Sequence, residues 1–337
     1  MPAEECMKNL SYFFIIFILI NFNVKADQND TITIYTYDSF ISEWGPGPII
    51  EKKFEEKFNC HVNFISVDSA VTLLTKIILE GSSSRADIVL GLDMNLYDEA
   101  IKSNLFTNHS LKNLNDIINL PIEWNSKTFI PYNYGYFAFV YNNKEFKNPP
   151  RSMDELINKT KARIVIQDPR TSTPGLGLLA WMKAVYGEDA GNQWKKLNNK
   201  IISVTKGWTD SYYNVFLTGE ADMVLSYSTS PAAHIMFEND RNFSALNFDE
   251  GNYISIEFAG LLKSSKNKPL ANKFLKFMLT EDFQSIIPST NIMYPVTKID
   301  KLPDAYKSLE IPNALQIDPV ILNTNKEKWI EEWLNAS

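Results

Sequence analysis

Cysteine is scarce in this sequence, which contains two in 337 residues, Cys6 and Cys60. Cys6 precedes an apolar segment with the layout of a cleaved signal peptide, so we expect the mature chain to keep one thiol, Cys60. One thiol excludes an intramolecular disulfide in the exported protein. Histidine is equally scarce, and His61, His109 and His234 show no ligand spacing with one another. We therefore predict no metal site.

The N-terminal apolar run is too short to cross a membrane. Lys8 precedes this run, residues 10–20, which has about 11 residues against the roughly 18 to 20 that a spanning helix needs. The segment closes at Ala26 with the small-residue pattern of a cleavage site. We expect residues 1–26 to be removed as a signal peptide, with Met7 as an alternative start, and the exported protein to be soluble.

An excess of basic charge is also missing. Asp and Glu number 40 against 33 Lys and Arg, which gives a formal net charge of −7. This balance argues against nucleic acid as a partner. The mature chain of about 310 residues is longer than a single hydrophobic core usually supports, so we expect two domains.

Hydrophobic periodicity predicts strands and helices that alternate along most of the chain. The predicted strands are residues 31–37, 61–67, 86–92, 135–142, 163–167, 202–205, 223–227 and 253–261. The predicted helices are residues 49–58, 71–79, 96–104, 176–185, 269–279, 282–287 and 327–334. Such alternation indicates an α/β fold built from right-handed βαβ units.

These elements form two series and predict a two-lobed fold with a ligand cleft between the lobes. Each lobe would be a mostly parallel sheet flanked by helices. The connections between the lobes are predicted near residues 131–134 and 247–252. Lobe 1 would comprise residues 27–132 plus 249–337, and lobe 2 would comprise residues 133–248.

Polar and aromatic residues gather where the predicted strands end. In open α/β sheets, ligands bind beyond the carboxyl ends of the strands. A single Asp or Ser at such a place is ordinarily a helix N-cap, but their convergence favours a binding cleft. The residues at these positions are Tyr37, Asp38, Trp44, Asp68, Ser69, Asp93, 168–173, Trp208 and 227–230.

Several segments of the sequence form longer motifs. They are YTYDSF (35–40), WGPGP (44–48), ADIVLGLD (86–93), YGYFAFVY (134–141), QDPRTSTPGLG (167–177), VTKGW (204–208) and MYPV (293–296). Across nearly the whole mature chain, these motifs resemble those of the periplasmic thiamine-binding proteins of bacterial ABC importers. The resemblance implies a type II periplasmic-binding-protein fold, a periplasmic location, and thiamine or its mono- or diphosphate as the transported ligand, with no cofactor.

Carried over position by position, the resemblance also implies a set of ligand contacts. Aromatic faces would hold the cationic thiazolium and the flat aminopyrimidine of thiamine, at roughly 0.5 to 2 kcal/mol for each ring. Hydroxyl groups at a helix start would bind a phosphate or hydroxyethyl oxygen. The ligand-binding residues implied by the resemblance are Tyr37, Trp44, Ser172, Thr173, Trp208, Tyr227 and Ser230. We add Asp68 and Ser69 as candidate ligand-binding residues, because they stand at or next to the position of a family acidic residue.

Three positions depart from the family's pattern. Where the family has an acidic residue ahead of the second helix, this chain has Ser69, with Asp68 one position earlier. A family aromatic and a family Trp are Ala233 and Ile292 here. Each missing ring would weaken binding by about 1 kcal/mol. Affinity and the preferred form of thiamine are therefore left open.

Two alternative functions are also left open. Thiamine-degrading enzymes of this fold use a Cys nucleophile, but Cys60 directly precedes the predicted strand 61–67, at the end of the sheet away from the cleft. We therefore expect no catalysis. A ferric-iron or polyamine binding protein of the same fold is the second alternative, because the adjacent Tyr212 and Tyr213 offer phenolate ligands for a hard metal.

The mechanism that we expect is hinge closure around the ligand. Tyr37 and Trp44 would contact it from the first lobe, and Trp208 and Tyr227 from the second. The closed shape would then be recognised by the membrane permease of the importer, with the protein acting as a monomer.

Overall fold

The computed structural model describes residues 31–336. The predicted signal peptide, residues 1–26, lies outside the described residues. Within residues 31–336, no helix combines the length and the apolar character that crossing a membrane requires.

Twelve strands and thirteen α-helices make up the described chain. The strands are β1 (Thr31–Tyr37), β2 (His61–Val67), β3 (Ile88–Asp93), β4 (Phe106–Thr107), β5 (Phe129–Asn142), β6 (Ile164–Gln167), β7 (Ile201–Thr205), β8 (Met223–Tyr227), β9 (Phe243–Ala245), β10 (Asn252–Leu262), β11 (Tyr294–Pro295) and β12 (Ala314–Leu315). The helices are α1 (Asp38–Ile41), α2 (Gly47–Phe58), α3 (Ala70–Glu80), α4 (Tyr97–Lys102), α5 (Leu114–Ile117), α6 (Met153–Asn158), α7 (Thr173–Tyr186), α8 (Ala190–Leu197), α9 (Ser230–Ala233), α10 (Lys268–Phe277), α11 (Glu281–Gln284), α12 (Ile287–Thr290) and α13 (Pro319–Leu334).

The main strands form one continuous path in the order β2-β1-β3-β10-β5-β8-β6-β7. The predicted parallel units are present, because β1 pairs in parallel with β2 and β3, and β6 pairs in parallel with β7 and β8. At the centre, β10 runs antiparallel to β3 and β5, and β5 runs antiparallel to β8. The result is a two-lobed α/β fold in which each parallel unit belongs to one lobe.

The two central strands are the longest and the most buried. Every residue of β10 is buried, and so is every residue of β5 except Tyr134 and Asn142, which are half-buried. The predicted connection at 131–134 lies inside β5, where the register against β10 shifts, and the one at 247–252 lies just before β10. The lobe boundaries drawn at these points stay a prediction.

Two tryptophans that were expected in the core are there. Trp181 is fully buried and Trp194 is 2% exposed. The ring of Trp181 stacks on Phe139 of β5, with centroids 6.2 Å apart, and its indole N–H donates to the carbonyl oxygen of Gly251 at 3.2 Å. Trp181 thereby ties α7 to the residues that lead into β10.

The C-terminal helix α13 starts eight residues before the predicted helix 327–334 and packs on both lobes. Near its start, Asn323 donates to Asp98 Oδ2 of α4 at 2.7 Å. Near its end, Glu332 pairs with the buried Lys183 of α7 at 2.6 Å, and the Lys183 ammonium lies 5.6 Å from the ring centroid of Trp329. Trp329 and Trp333 are buried, which confirms the predicted packing of the aromatic face.

Replacing Glu332 with Gln should lower the free energy of unfolding by about 1 to 3 kcal/mol, because it leaves the buried Lys183 ammonium without its carboxylate. The neighbouring substitution Glu331→Gln, on an exposed side chain, is the matched control and should change stability by less than about 0.5 kcal/mol. Urea unfolding measures both values. Equal losses in the two variants would contradict a stabilising role for this buried pair.

Candidate ligand-binding site

A cavity of about 260 Å³ lies where the carboxyl ends of β1, β2 and β3 face those of β6, β7 and β8. All nine residues that the sequence predicted as ligand contacts line it. They are Tyr37, Trp44, Asp68, Ser69, Ser172, Thr173, Trp208, Tyr227 and Ser230. The fold therefore brings together residues that are up to 193 positions apart in the chain (230 − 37), while their contact with a ligand stays a prediction.

The floor of the cavity in the first lobe is built around Tyr37, the last residue of β1. Its ring lies directly over Gly91 of β3, where an added Cβ would come within 2.4 Å of Tyr37 Cδ1. Gly91 also has a φ of +104°, which L side chains rarely adopt. The Tyr37 hydroxyl donates to Glu257 Oε2 at 2.9 Å. Glycine at 91 thus allows Tyr37 to reach Glu257.

Two buried carboxylates lie at this floor, Glu257 of β10 and Asp93 of β3. Glu257 lines the cavity, and its Oε2 also accepts hydrogen bonds from Tyr132 Oη and, at 2.8 Å, from Asn133 Nδ2. Asp93 is fully buried. Burial raises the pKa of both carboxyls, and burial together with the nearby charge of Glu257 raises that of Asp93 to about 7.

Glu257 was not among the predicted ligand contacts. It is the one acidic residue within the apolar strand YISIEFAGLL. An isolated acidic residue in a fully buried strand is costly unless it is hydrogen-bonded or functional. The contrast between one acidic residue and an otherwise apolar strand could have marked Glu257 as functional from the sequence. Only the strand pairing, however, shows which cavity its side chain reaches.

The wall of the second lobe is held by a chain of hydrogen bonds behind Trp208. The indole Nε1 of Trp208 donates to Ser226 Oγ at 2.7 Å, and Ser226 Oγ lies 2.8 Å from Ser230 Oγ. Ser230 Oγ in turn accepts from the backbone N–H of Tyr227 at 3.3 Å. These bonds fix the indole at the cavity, which Trp208 lines from beyond the end of β7 and Tyr227 lines from the end of β8.

Three further large rings stand at the cavity with much of their surface in solvent. Trp44 is 52% exposed, Tyr213 is 46% exposed and Phe237 is 68% exposed. Of these, only Trp44 was a predicted ligand contact. Phe237 follows Ala233 by four positions, in the π-helical segment His234–Glu238. It supplies an aromatic surface on the same wall as Ala233, where the family's own ring is missing.

Tyr212, which the sequence offered as an iron ligand, is engaged inside the second lobe. Its hydroxyl lies 2.9 Å from His234 Nε2, and His234 Nδ1 lies 2.9 Å from Glu238 Oε2. Burial raises the pKa of Tyr212 and of its neighbour Tyr213. The contact of Tyr212 with His234 and the raised pKa values of the two tyrosines both disfavour the pair of phenolates that a ferric site would use. Among residues 31–336, no cluster of three or more His, Cys, Asp or Glu side chains is placed to hold a metal ion.

The lobes contact each other across the cleft through Asp68 and Ser69. Asp68 forms an ion pair with Lys206 of the second lobe, and Ser69 Oγ donates to the carbonyl oxygen of Thr171 at 2.7 Å. Ser69 also caps helix α3 by accepting from the backbone N–H of Thr72. The Asp68 carboxylate is therefore already paired and does not simply replace the missing family carboxylate.

Ser172 and Thr173 stand at the start of α7, with Pro174 in its first turn, as predicted. The Ser172 side chain makes no capping hydrogen bond, and both residues line the cavity. The backbone N–H groups of a helix start attract anions and polar oxygens. This corner of the cavity suits the polar or phosphorylated end of a ligand.

Ile292 and Ala233, the two positions that lack a family ring, both line the cavity. Ile292 has a φ of +54°, a conformation that is unusual for a β-branched residue. Such backbone strain persists only where the surroundings enforce it, and it is concentrated at binding sites. The segment between α12 and β11 thus holds the Ile292 side chain against the cavity at a cost in backbone energy.

The charges at the cavity are of one sign. The lining includes the carboxylates of Asp68, Glu238 and Glu257, and it includes no Lys or Arg among the residues that the structure describes. Aromatic faces and carboxylates together favour a flat, cationic ligand.

The pattern of bacterial extracellular solute-binding proteins matches residues 83–328. The chain belongs to this family. It is 47% identical to a thiamine-binding periplasmic protein of Escherichia coli, over 90% of this chain and 93% of the relative. It is 46% identical to a thiamine-binding periplasmic protein of Brucella suis, over 96% of this chain and 97% of the relative.

The same relationship holds for solved structures. A periplasmic thiamin binding protein superimposes with a TM-score of 0.87 at 47% identity, covering 91% of this chain and 96% of its own. Iron-bound HitA from Pseudomonas aeruginosa superimposes with a TM-score of 0.75 at 21% identity, covering 91% and 99%. Because the identity of this chain to HitA is only 21%, that similarity concerns the fold alone. The predicted two-lobed periplasmic-binding-protein fold is confirmed.

Substituting Gly91 by Ala should lower the free energy of unfolding by about 1 to 3 kcal/mol, because it strains the backbone at positive φ and pushes the Tyr37 ring off its bond to Glu257. Gly207→Ala is the matched control at the same cavity, since an added Cβ there meets nothing within 4 Å. Thermal unfolding of both variants tests this. A Gly91→Ala variant as stable as Gly207→Ala would show that the ring does not depend on glycine.

Proposed function

We propose that this protein captures thiamine or a thiamine phosphate in the periplasm and delivers it to an ABC importer. One observation carries the proposal: among the residues described, a single cavity collects the nine predicted contact residues, with aromatic faces from both lobes, carboxylates and no Lys or Arg. The names of the relatives that share 46 to 47% of its residues support the same ligand.

The chemistry of the cavity matches the parts of thiamine. Its permanently cationic thiazolium and its flat aminopyrimidine both favour aromatic faces, which Tyr37 and Trp44 supply from one lobe and Trp208 and Tyr227 from the other. The hydroxyethyl or phosphate oxygens would lie at Ser172 and Thr173, at the start of α7. A ligand that touches all of these groups bridges the two lobes.

Because the ligand bridges the two lobes, its binding can change the shape that the permease recognises. The ligand contacts both lobes only when the cleft is closed, so it stabilises the closed state over the open one. The closed protein, acting as a monomer, then presents the paired lobe surfaces to the permease. The signal peptide would direct export and be removed near Ala26.

The enzymatic alternative finds no support at the cavity. Cys60 is buried directly before β2, while the cavity lies beyond Val67 at the other end of that strand. A seven-residue strand separates the two places by about 20 Å. Thiamine incubated with the protein and pyridine should therefore be recovered unchanged, and a pyridine adduct would revive the enzymatic function.

Replacing Trp208 with Ala should weaken thiamine binding by about tenfold or more, because it removes a desolvated aromatic face. Calorimetric titration of the mature protein with thiamine, thiamine monophosphate and thiamine diphosphate gives the reference affinities. Submicromolar binding by at least one form is the expected result. Folded, ligand-free protein that binds none of them would refute the proposed function.

The control for Trp208→Ala is Leu79→Ala. Leu79 is 82% exposed, near the end of α3 that points away from the cavity, so its removal should leave the affinity unchanged within about twofold. Circular dichroism and thermal unfolding establish that both variants are folded. An unchanged dissociation constant in folded Trp208→Ala would remove Trp208 from the site.

A further inference from the structure

We propose that the buried Asp93 and Glu257 carboxylates together form the charge-selective element of the cleft, which recognises the positive charge of the ligand and releases a proton when that charge arrives. This inference rests on the proposed function, because it assigns the contact that distinguishes cationic thiamine from a neutral molecule of the same shape.

The geometry places the two carboxylates side by side. Glu257 and Asp93 are register partners in the antiparallel pairing of β10 with β3. Directly opposed residues in such a pair project from the same face of the sheet, with Cβ atoms about 5 Å apart. Glu257 is 8% exposed and lines the cavity, whereas Asp93 is fully buried behind it. Glu257 is thus the member of the pair that faces the cavity, with Asp93 beside it in the sheet.

The groups that face this pair are polar but uncharged. Glu257 accepts hydrogen bonds from Tyr37, Tyr132 and Asn133, and Asn291 also lies close to it. On the side of the second lobe, Thr173 of α7 lies beside Asp93, and Tyr227 of β8 is near both carboxylates. Tyr253 of β10 is also near Asp93. No Lys or Arg is among these neighbours or among the cavity-lining residues described. The positive charge that would balance two buried carboxylates is therefore supplied by the ligand.

Two like charges in a buried site cannot both ionise cheaply. Burial and the charge of Glu257 raise the pKa of Asp93 to about 7, so the pair of the empty protein still holds part of a proton at neutral pH. A bound cation favours the ionised form and lowers that pKa. Binding should therefore release the proton, and the apparent affinity should fall as the pH drops below 7.

The pH dependence caused by the acidic pair must be distinguished from that of other titratable groups at the cavity. His234, Glu238 and Asp68 also line it, and Asp68 is paired with Lys206. The discriminating variant is therefore Asp93→Asn, which removes the acidic pair's proton and leaves His234 intact.

The direct test measures proton release by wild-type protein. Calorimetric titration with thiamine at pH 7, in two buffers of different ionisation enthalpy, should show about half a proton released for each thiamine bound, as expected for a group with a pKa near 7. The neutral isostere 3-deazathiamine should bind more weakly, by about tenfold or more, and release no proton. Thiamine binding without proton release, or equal binding of the two compounds, would overturn the inference while leaving the proposed function intact.

The pH dependence supplies a second test. Thiamine affinity of the wild-type protein should be about tenfold lower at pH 6 than at pH 8, which is the factor expected for loss of one proton with a pKa near 7. In Asp93→Asn the affinity should be nearly independent of pH over this range, and Glu257→Gln should lose the preference for the cationic compound. A full pH dependence in folded Asp93→Asn would assign the effect to another group and overturn the inference. Absence of thiamine binding at every pH would overturn the proposed function and this inference with it.

Discussion

The antiparallel pairing of β5 with β10 is the constraint on which the remaining structure depends. Both strands are apolar and almost entirely buried, and they run from the parallel unit of one lobe to that of the other. Their register shifts near Glu257, where Asn133 and Pro131 face successive residues of β10. The two central strands allow the two parallel units to face each other with their carboxyl ends turned inward, and the cavity lies where those ends meet.

The same pairing decides which charges the cavity contains. β10 places Glu257 at the cavity floor, opposite Asp93 of β3. The ring of Tyr37 packs over Gly91, which allows its hydroxyl to donate to Glu257. The second lobe adds rings held by hydroxyl groups, with Trp208 bonded to Ser226. An acidic floor under aromatic walls suits a flat cation. Asp68 and Ser69 also contact the second lobe directly, so the contacts of a ligand would add to those between the lobes.

Much of this arrangement could be predicted from the sequence, because strand and helix periods are local and the ends of parallel strands gather at one edge of a sheet. The choice of ligand contacts came largely from the family resemblance, and all nine predicted contact residues line one cavity. Glu257, Phe237 and His234 were missed as cavity residues, since their placement depends on antiparallel pairing and on π-helical turns that no local pattern marks. The predicted helix 282–287 is two short helices, α11 and α12, and the pairing of Asp68 with Lys206 required the tertiary structure.

We expect thiamine to lie between the lobes with its charged ring over the acidic floor. A crystal structure of the protein grown with thiamine tests this most directly. We expect density for the ligand between Trp208 and Tyr37, with the thiazolium as the part nearest to Glu257 and the hydroxyethyl oxygen near Thr173. Thiamine bound outside this cavity, or with its thiazolium turned away from Glu257, would contradict the account.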